Sequence, residues 1–269
     1  MGVTIIYAVL IFCLLIFVHE FGHFVAAKSV GVRVNEFSLG MGPAILGKTK
    51  GETRYSLRVF PIGGYVKMEG EDEDSWDPNA FNNKSAPKRA LVLFAGSFMN
   101  LITAVILITV LALTIGMTSN VIEEVSVGYP AEAAGLRAGD RIVQIDGKDM
   151  KSWEDVTGQL STGTGETVAI TVVRDGKEMD LISGVVINEE GRRIIGITSK
   201  LEHSIGRSFK AGVTGTWNMT KEMVKYIGLL FTGRGSMDDL VGPVGIVSII
   251  NDQAKMGIFY IINLTALIS

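Results

Sequence analysis

The chain has 269 residues, enough for one or two domains, and hydrophobic residues make up 47% of it. A mean hydropathy of +0.34 lies between that of a soluble domain and that of a pure transporter, which points to membrane spans alternating with soluble parts. The net charge of −3, with a pI near 5.7, excludes the basic footprint of a nucleic-acid-binding protein, and the single cysteine, Cys13, excludes an intrachain disulfide.

Residues 3–27 predict a retained transmembrane helix. They lack a basic leader and a small-residue cleavage pattern ahead of His19, and about 20 apolar residues span a bilayer. Inside this segment stands Phe17-Val18-His19-Glu20-Phe21-Gly22-His23. On a helix, residues four apart share a face, so the imidazoles of His19 and His23 converge on one point. That pair suits Zn²⁺, which in catalytic sites takes three protein ligands and one open position. Glu20 is placed as general base toward a zinc-activated water. A charge in the middle of a membrane helix costs about 2.5–3.5 kcal/mol on insertion scales. Three polar groups in one turn therefore need a joint purpose, either a metal site or a polar cluster that packs helices.

The following loop, residues 28–90, carries Lys28, Arg33, Lys48, Lys50, Arg54, Arg58, Lys67, Lys84, Lys88 and Arg89. This excess of basic residues predicts a cytoplasmic loop, an outward N-terminus and a metal in the cytoplasmic half of the bilayer. The acidic run of residues 69–74 reads as a solvated linker. Residues 53–60 alternate partly in strand fashion, and Pro61-Ile62-Gly63-Gly64 turns into Tyr65-Val66-Lys67-Met68, a hairpin signal. Gly63, Gly64 and Tyr65 are candidates to hold an extended substrate at an open strand edge; a merely structural hairpin fits equally. Residues 91–115 contain no charge and predict a second span. Gly96-Ser97 there would admit another helix closely, and Asn100 is either interhelical glue or part of the site.

Residues 120–200 have the composition of a soluble domain. Strands are expected at 121–125, 141–145, 167–173 and 178–187, with a helix at 153–160. Residues 129–140 resemble the bacterial PDZ signature through Gly135, Leu136, Gly139 and Asp140. PDZ domains commonly add a peptide as a strand, and a steric gate is the alternative. Phe209, Val213, Trp217, Val224, Ile227 and Phe231 predict an amphipathic helix on the membrane. His203 reads as an ordinary exposed residue. Residues 256–269 are apolar but only 14 long, the expected start of a third span.

In this order the parts resemble the site-2 proteases, intramembrane zinc metalloproteases, and within them the bacterial group typified by the regulator-of-sigma-E protease with one PDZ domain. The resemblance rests on His19-Glu20-Phe21-Gly22-His23, Phe37-Ser38-Leu39-Gly40-Met41-Gly42-Pro43, Gly63-Gly64-Tyr65-Val66, Ala95-Gly96-Ser97-Phe98-Met99-Asn100, the PDZ signature and Gly242-Pro243-Val244-Gly245-Ile246. It departs at Ser97, where many relatives have proline, and in lacking the family's Leu-Asp-Gly stretch. The implied architecture is an α-helical membrane core of three or more spans, with a membrane-associated β-hairpin and an inserted α+β PDZ domain. The domains would be 1–119 (core), 120–200 (PDZ) and 201–269 (amphipathic helix and the start of the third span). The implied activity is zinc-dependent cleavage of transmembrane segments, such as anti-sigma factors or signal-peptide remnants, already cut by another protease. His19 and His23 would hold zinc, with an aspartate expected beyond Ser269 as third ligand, so that the 269-residue chain alone is expected to be inactive. The location implied is a bacterial plasma membrane, multi-pass, with the PDZ domain outside and the bilayer, not nucleic acid, as partner. A non-catalytic PDZ-bearing adaptor and a zinc transporter or sensor are the alternatives.

Overall fold

In the computed structural model, which describes residues 2–236 and 242–269, two helices are long and apolar enough to cross a membrane. The first, α1 (Gly2–Ser29), has no internal proline and ends where Gly31 takes φ +74°. There Val32 N–H bonds to the Ala27 carbonyl at 2.8 Å and Gly31 N–H to the Lys28 carbonyl at 3.2 Å, a Schellman closure that satisfies the last carbonyls. The second, α2 (Ala86–Ile115), runs through Ser97 as unbroken helix, so the departure from proline there leaves its shape regular.

Clustering of contacts divides the chain into two units, residues 1–111 with 209–269, and residues 112–208. In the first unit lie β1 (Val34–Lys50) and β2 (Thr53–Met68), joined by a turn at Gly51-Glu52. The expected hairpin about residues 61–64 is corrected here. Residues 53–58 do not pair with 64–68; both flank the first half of β1. Ser38 partners Tyr65 on one side and Ser56 on the other, and Leu39 partners Gly64 and Leu57. β1 and β2 are antiparallel as a whole, but between residues 36–39 and 54–57 the partner numbers rise together, a locally parallel match. Residues 44–50 pair with 53–58 at the far side. Four segments thus make one sheet, with 64–68 at an open edge.

One face of this sheet carries aromatic residues onto α1. Phe24 and Phe37 have ring centroids 5.1 Å apart, with Phe17 and Tyr55 packed on them. Ala26, Ala27, Val32, Val34, Val66, Met68 and Val92 form the core joining α1, α2 and the sheet.

After α2, the second unit places β3 (Met117–Val125), β4 (Arg141–Ile145), β6 (Thr167–Arg174), β7 (Lys177–Gly184) and β10 (Ile197–Glu202) in the order β10-β3-β4-β6-β7, with β5 (Lys148–Asp149) on β4. β8 (Val186–Ile187) and β9 (Arg193–Ile194) form a separate pair, so the expected strand at 178–187 is broken in two. Ile122, Ile142, Ile145, Val156, Ile170, Val172 and Ile195 fill its core beneath α3 (Pro130–Ala133) and α4 (Trp153–Thr162). A capping box between Ser152 and Asp155 starts α4.

The first unit resumes within α5 (Ile205–Phe231), which leaves Phe209, Val213, Trp217, Val224, Ile227 and Phe231 exposed. Two further helices, α6 (Pro243–Met256) and α7 (Ile258–Ile268), pack Ile250, Ile261 and Leu264 on Ala8, Ile11 and Leu15 of α1.

The signature residues of the second unit have structural work. Gly135 and Gly139 take φ of +78° and +89°, a region that favours glycine. Asp140, 1% exposed, binds Arg174 through both oxygens at 2.7 Å and accepts the Arg137 amide at 2.8 Å. Removing one partner of such a buried pair costs about 3–5 kcal/mol. Arg174→Met is therefore expected to destabilise this unit by about that amount, measured by denaturant unfolding followed through Trp153, the unit's one tryptophan.

Candidate metal centre

His19, Glu20 and His23 lie on one turn and a half of α1, where the four-residue spacing brings the imidazoles together. Their Nε2 atoms are 3.2 Å apart. His23 Nδ1 is 2.7 Å from the Val92 carbonyl of α2. A carbonyl can only accept, so Nδ1 carries the hydrogen and the Nε2 lone pair of the neutral ring is turned toward His19. Two nitrogens bound at about 2.0–2.1 Å on a tetrahedral zinc lie about 3.3 Å apart, so the pair has the spacing of two zinc ligands.

The close approach of α2 depends on glycine. A Cβ at Gly96 would lie 2.4 Å from His23 Nε2 and 2.7 Å from His19 Nε2, and one at Gly22 would lie 2.4 Å from the Ala95 carbonyl oxygen. The helix backbones touch here, and the imidazoles sit in the space the missing side chain leaves.

Glu20 faces the sheet edge. A Cβ on Gly64 would be 3.7 Å from Glu20 Cγ and 2.8 Å from the Ser38 carbonyl oxygen, and the Val66 amide interacts with the Glu20 carboxylate. Gly64 is therefore beside the site. Gly63 adopts φ +95° and lies against Met41, which turns the chain into the edge. Tyr65 follows Gly64 in the same edge segment, and its hydroxyl accepts a hydrogen bond from Arg58. Asn100 follows Gly96 by one turn of α2, and its buried Oδ1 has no partner among the described residues. Gly135, Leu136, Gly139 and Asp140 belong to the other unit and serve its loop and core.

Sequence reading missed two contributors. The Val92 carbonyl and Val66 amide are backbone groups that no residue type announces. Glu71, expected in a solvated linker, is exposed, and its Oε2 accepts the Met68 amide at 3.3 Å. Among the described residues, no three His, Cys, Asp or Glu side chains are grouped to hold a metal. Asp252 is not grouped with the imidazole pair. It pairs with Lys255 at 2.8 Å next to Asn251, which meets Thr4, about 22 Å along α1 from His19 at 1.5 Å per residue.

A model of peptidase family M50 matches residues 7–269. A candidate zinc metalloprotease of Clostridium acetobutylicum is 37% identical over 270 residues, covering 99% of this chain and 79% of that protein. Zinc metalloprotease RasP of Shouchella clausii is 28% identical over 351 residues, covering 99% and 84%. Among solved structures, the PDZ domain of the SdrC-like protein from Listeria monocytogenes matches at 28% identity and a TM-score of 0.28, covering 30% of this chain and 87% of that one.

Because a methyl group at position 96 overlaps both imidazoles, Gly96→Ala is expected to lower zinc affinity at least tenfold, an effect of the size seen when the partners of metal ligands are disturbed. Zinc content after dialysis against a graded chelator reads this directly, and parental zinc retention in the variant would contradict the geometry.

Proposed function

Given that the chain belongs to peptidase family M50 and is an intramembrane zinc metalloprotease, we propose that His19 and His23 are its histidine ligands and Glu20 its general base. The observation that carries this reading is the 3.2 Å pair of Nε2 atoms with Glu20 on the same turn. Zinc supplies Lewis acidity, which acidifies water and polarises a carbonyl. The Val92 carbonyl holds His23 in the tautomer that presents Nε2. Glu20 takes the proton from water and passes it to the leaving nitrogen. The edge at residues 64–68 receives the substrate as an added strand, which requires the substrate helix to unwind because its backbone groups are otherwise satisfied internally. Asn100, with an unpartnered amide oxygen one turn from Gly96, contacts that strand.

The third ligand is proposed to be an aspartate outside residues 1–269. In support, Ser269 Oγ donates to the Asn100 carbonyl at 2.7 Å, which sets the end of α7 one turn from Gly96.

The protein is membrane-embedded, and the finer topology is part of the proposal: multi-pass in a bacterial plasma membrane, residues 28–89 cytoplasmic and the PDZ-like unit outside. The substrates are transmembrane segments left by an earlier cut. In the PDZ-like unit β10 is an edge strand, and a cavity of about 340 Å³ lined by Tyr129, Trp153, Leu160 and Ile195 adjoins it. This supports peptide capture over a purely steric gate.

In a version that carries the aspartate segment, Glu20→Gln is expected to keep zinc and lose cleavage of a membrane-segment reporter by about 10²–10⁴-fold, the usual contribution of a general base. His19→Ala or His23→Ala should lose metal and activity together. Undiminished cleavage by Glu20→Gln would leave the adaptor or transporter alternatives standing. Zinc content and turnover equal in the 269-residue chain and the longer version would place the third ligand within these residues.

For topology, Lys84→Cys and Lys148→Cys are each introduced into a Cys13→Ala background. A membrane-impermeant thiol reagent applied to intact cells is expected to label position 148 and spare 84. The opposite pattern reverses the orientation.

A further inference from the structure

The sheet of β1 and β2 exposes Met41, Ile45, Leu46, Val59 and Phe60, yet encloses one polar cluster. Arg58 donates through Nη1 to the Gly42 carbonyl at 2.5 Å, and through Nη2 to Glu36 Oε1 at 2.7 Å and to the Tyr65 hydroxyl. Ser56 Oγ donates to the same Glu36 oxygen at 2.5 Å, and Arg58 Cζ stands 5.1 Å from the Tyr65 ring centroid. The Glu36 and Arg58 side chains are only 14% and 19% exposed. Burial alone would raise the Glu36 carboxyl, but the hydrogen bonds from Ser56, Arg58 and Tyr65 outweigh it and hold the group at about 2.

The cluster's members come from three of the sheet's four segments and from the reversal within β1. Glu36 lies on the central segment, Ser56 and Arg58 on one flank, Tyr65 on the other, and Gly42 in the reversal between the halves of β1. Arg58 Nε is buried without a partner among the described residues, so the ion pair is held through Nη1 and Nη2 alone, and a shifted register that lost these bonds would leave a desolvated charge unmatched. Such discrimination between registers is needed here because Gly40, Gly42 and Gly63, all at positive φ, leave the crossover backbone little intrinsic stiffness. Tyr65 stands between Gly64 and Val66, the two residues whose backbones meet Glu20.

We propose that Arg58 is a positioning residue: by binding Glu36, Tyr65 and the Gly42 carbonyl together, it fixes the register of residues 64–68 beside Glu20 without touching substrate. The inference rests on the reading of Glu20 as general base. A slip of one residue turns every side chain of a strand to the other face, and a misplacement of about 1 Å at a reacting centre can cost about 10²-fold in rate.

The test uses the zinc-loaded, full-length protein in membranes. Arg58→Met is expected to lower kcat by about 10–10²-fold, with zinc content unchanged and KM altered less than kcat. Arg58→Lys, which keeps the charge without the planar fork, is expected to recover part of the loss. Register is read independently of activity by oxidative cross-linking of Phe37→Cys with Val66→Cys, directly opposed residues, in a Cys13→Ala background; Arg58→Met should reduce its yield. Parental kcat in Arg58→Met would overturn the proposal. So would a kcat loss with parental cross-linking, since Arg58 would then act on the reaction directly. If Arg58→Met does not accumulate, Glu36→Gln reads the same two quantities, and parental values of both would equally overturn it. Cleavage by Glu20→Gln would remove the catalytic premise, while the cross-linking comparison would still decide whether Arg58 sets the register.

Discussion

The structure of the membrane unit depends on backbone contact between two apolar helices at Gly22 and Gly96. In lipid there is little hydrophobic gain from pressing helices together, so close packing and satisfied polar groups must hold them. Both are present at this crossing. The glycines allow the approach, and the His23–Val92 hydrogen bond uses it. The same volume that a side chain would have filled holds the two imidazoles, so helix packing and ligand placement are one arrangement rather than two.

From that crossing the rest of the site is built outward. α1 ends at Gly31 within three turns of the motif, and its Schellman closure delivers the chain directly into β1. The aromatic face of the sheet then lies back on Phe17 and Phe24 of the same helix. This places the edge at residues 64–68 against Glu20 while the polar cluster around Arg58 stays within the sheet. A polar network is tolerable in such apolar surroundings because its donors and acceptors, the buried Arg58 Nε excepted, are matched among Glu36, Ser56, Arg58, Tyr65 and the Gly42 carbonyl.

What was legible in the sequence was local. The spacing of His19 and His23 fixes their convergence within one helix, and the charge-free run of residues 91–115 announces α2. Arg141 to Ile145 forms the strand its alternation and following Asp146-Gly147 suggest. What was not legible was long-range. Pro61-Ile62-Gly63-Gly64 has the composition of a tight turn, yet the segments it links are separated by residues 34–39, whose place between them no nearby residue encodes. The Asp140–Arg174 pair spans 34 residues of sequence, and only the closed sheet shows why the motif needs its aspartate.

The placement of residues 34–39 between two later segments has a bearing on how the sheet forms during synthesis. A chain made from its N-terminus lays down the middle of this sheet before either flank. Residues 44–50 and 53–58 can close next as a hairpin, and residues 64–68 arrive last on the free side. No segment has to thread between strands already joined. The edge that meets Glu20 is thus the last to be set, after the helix bearing the histidines has left the ribosome and while α2 is still to come.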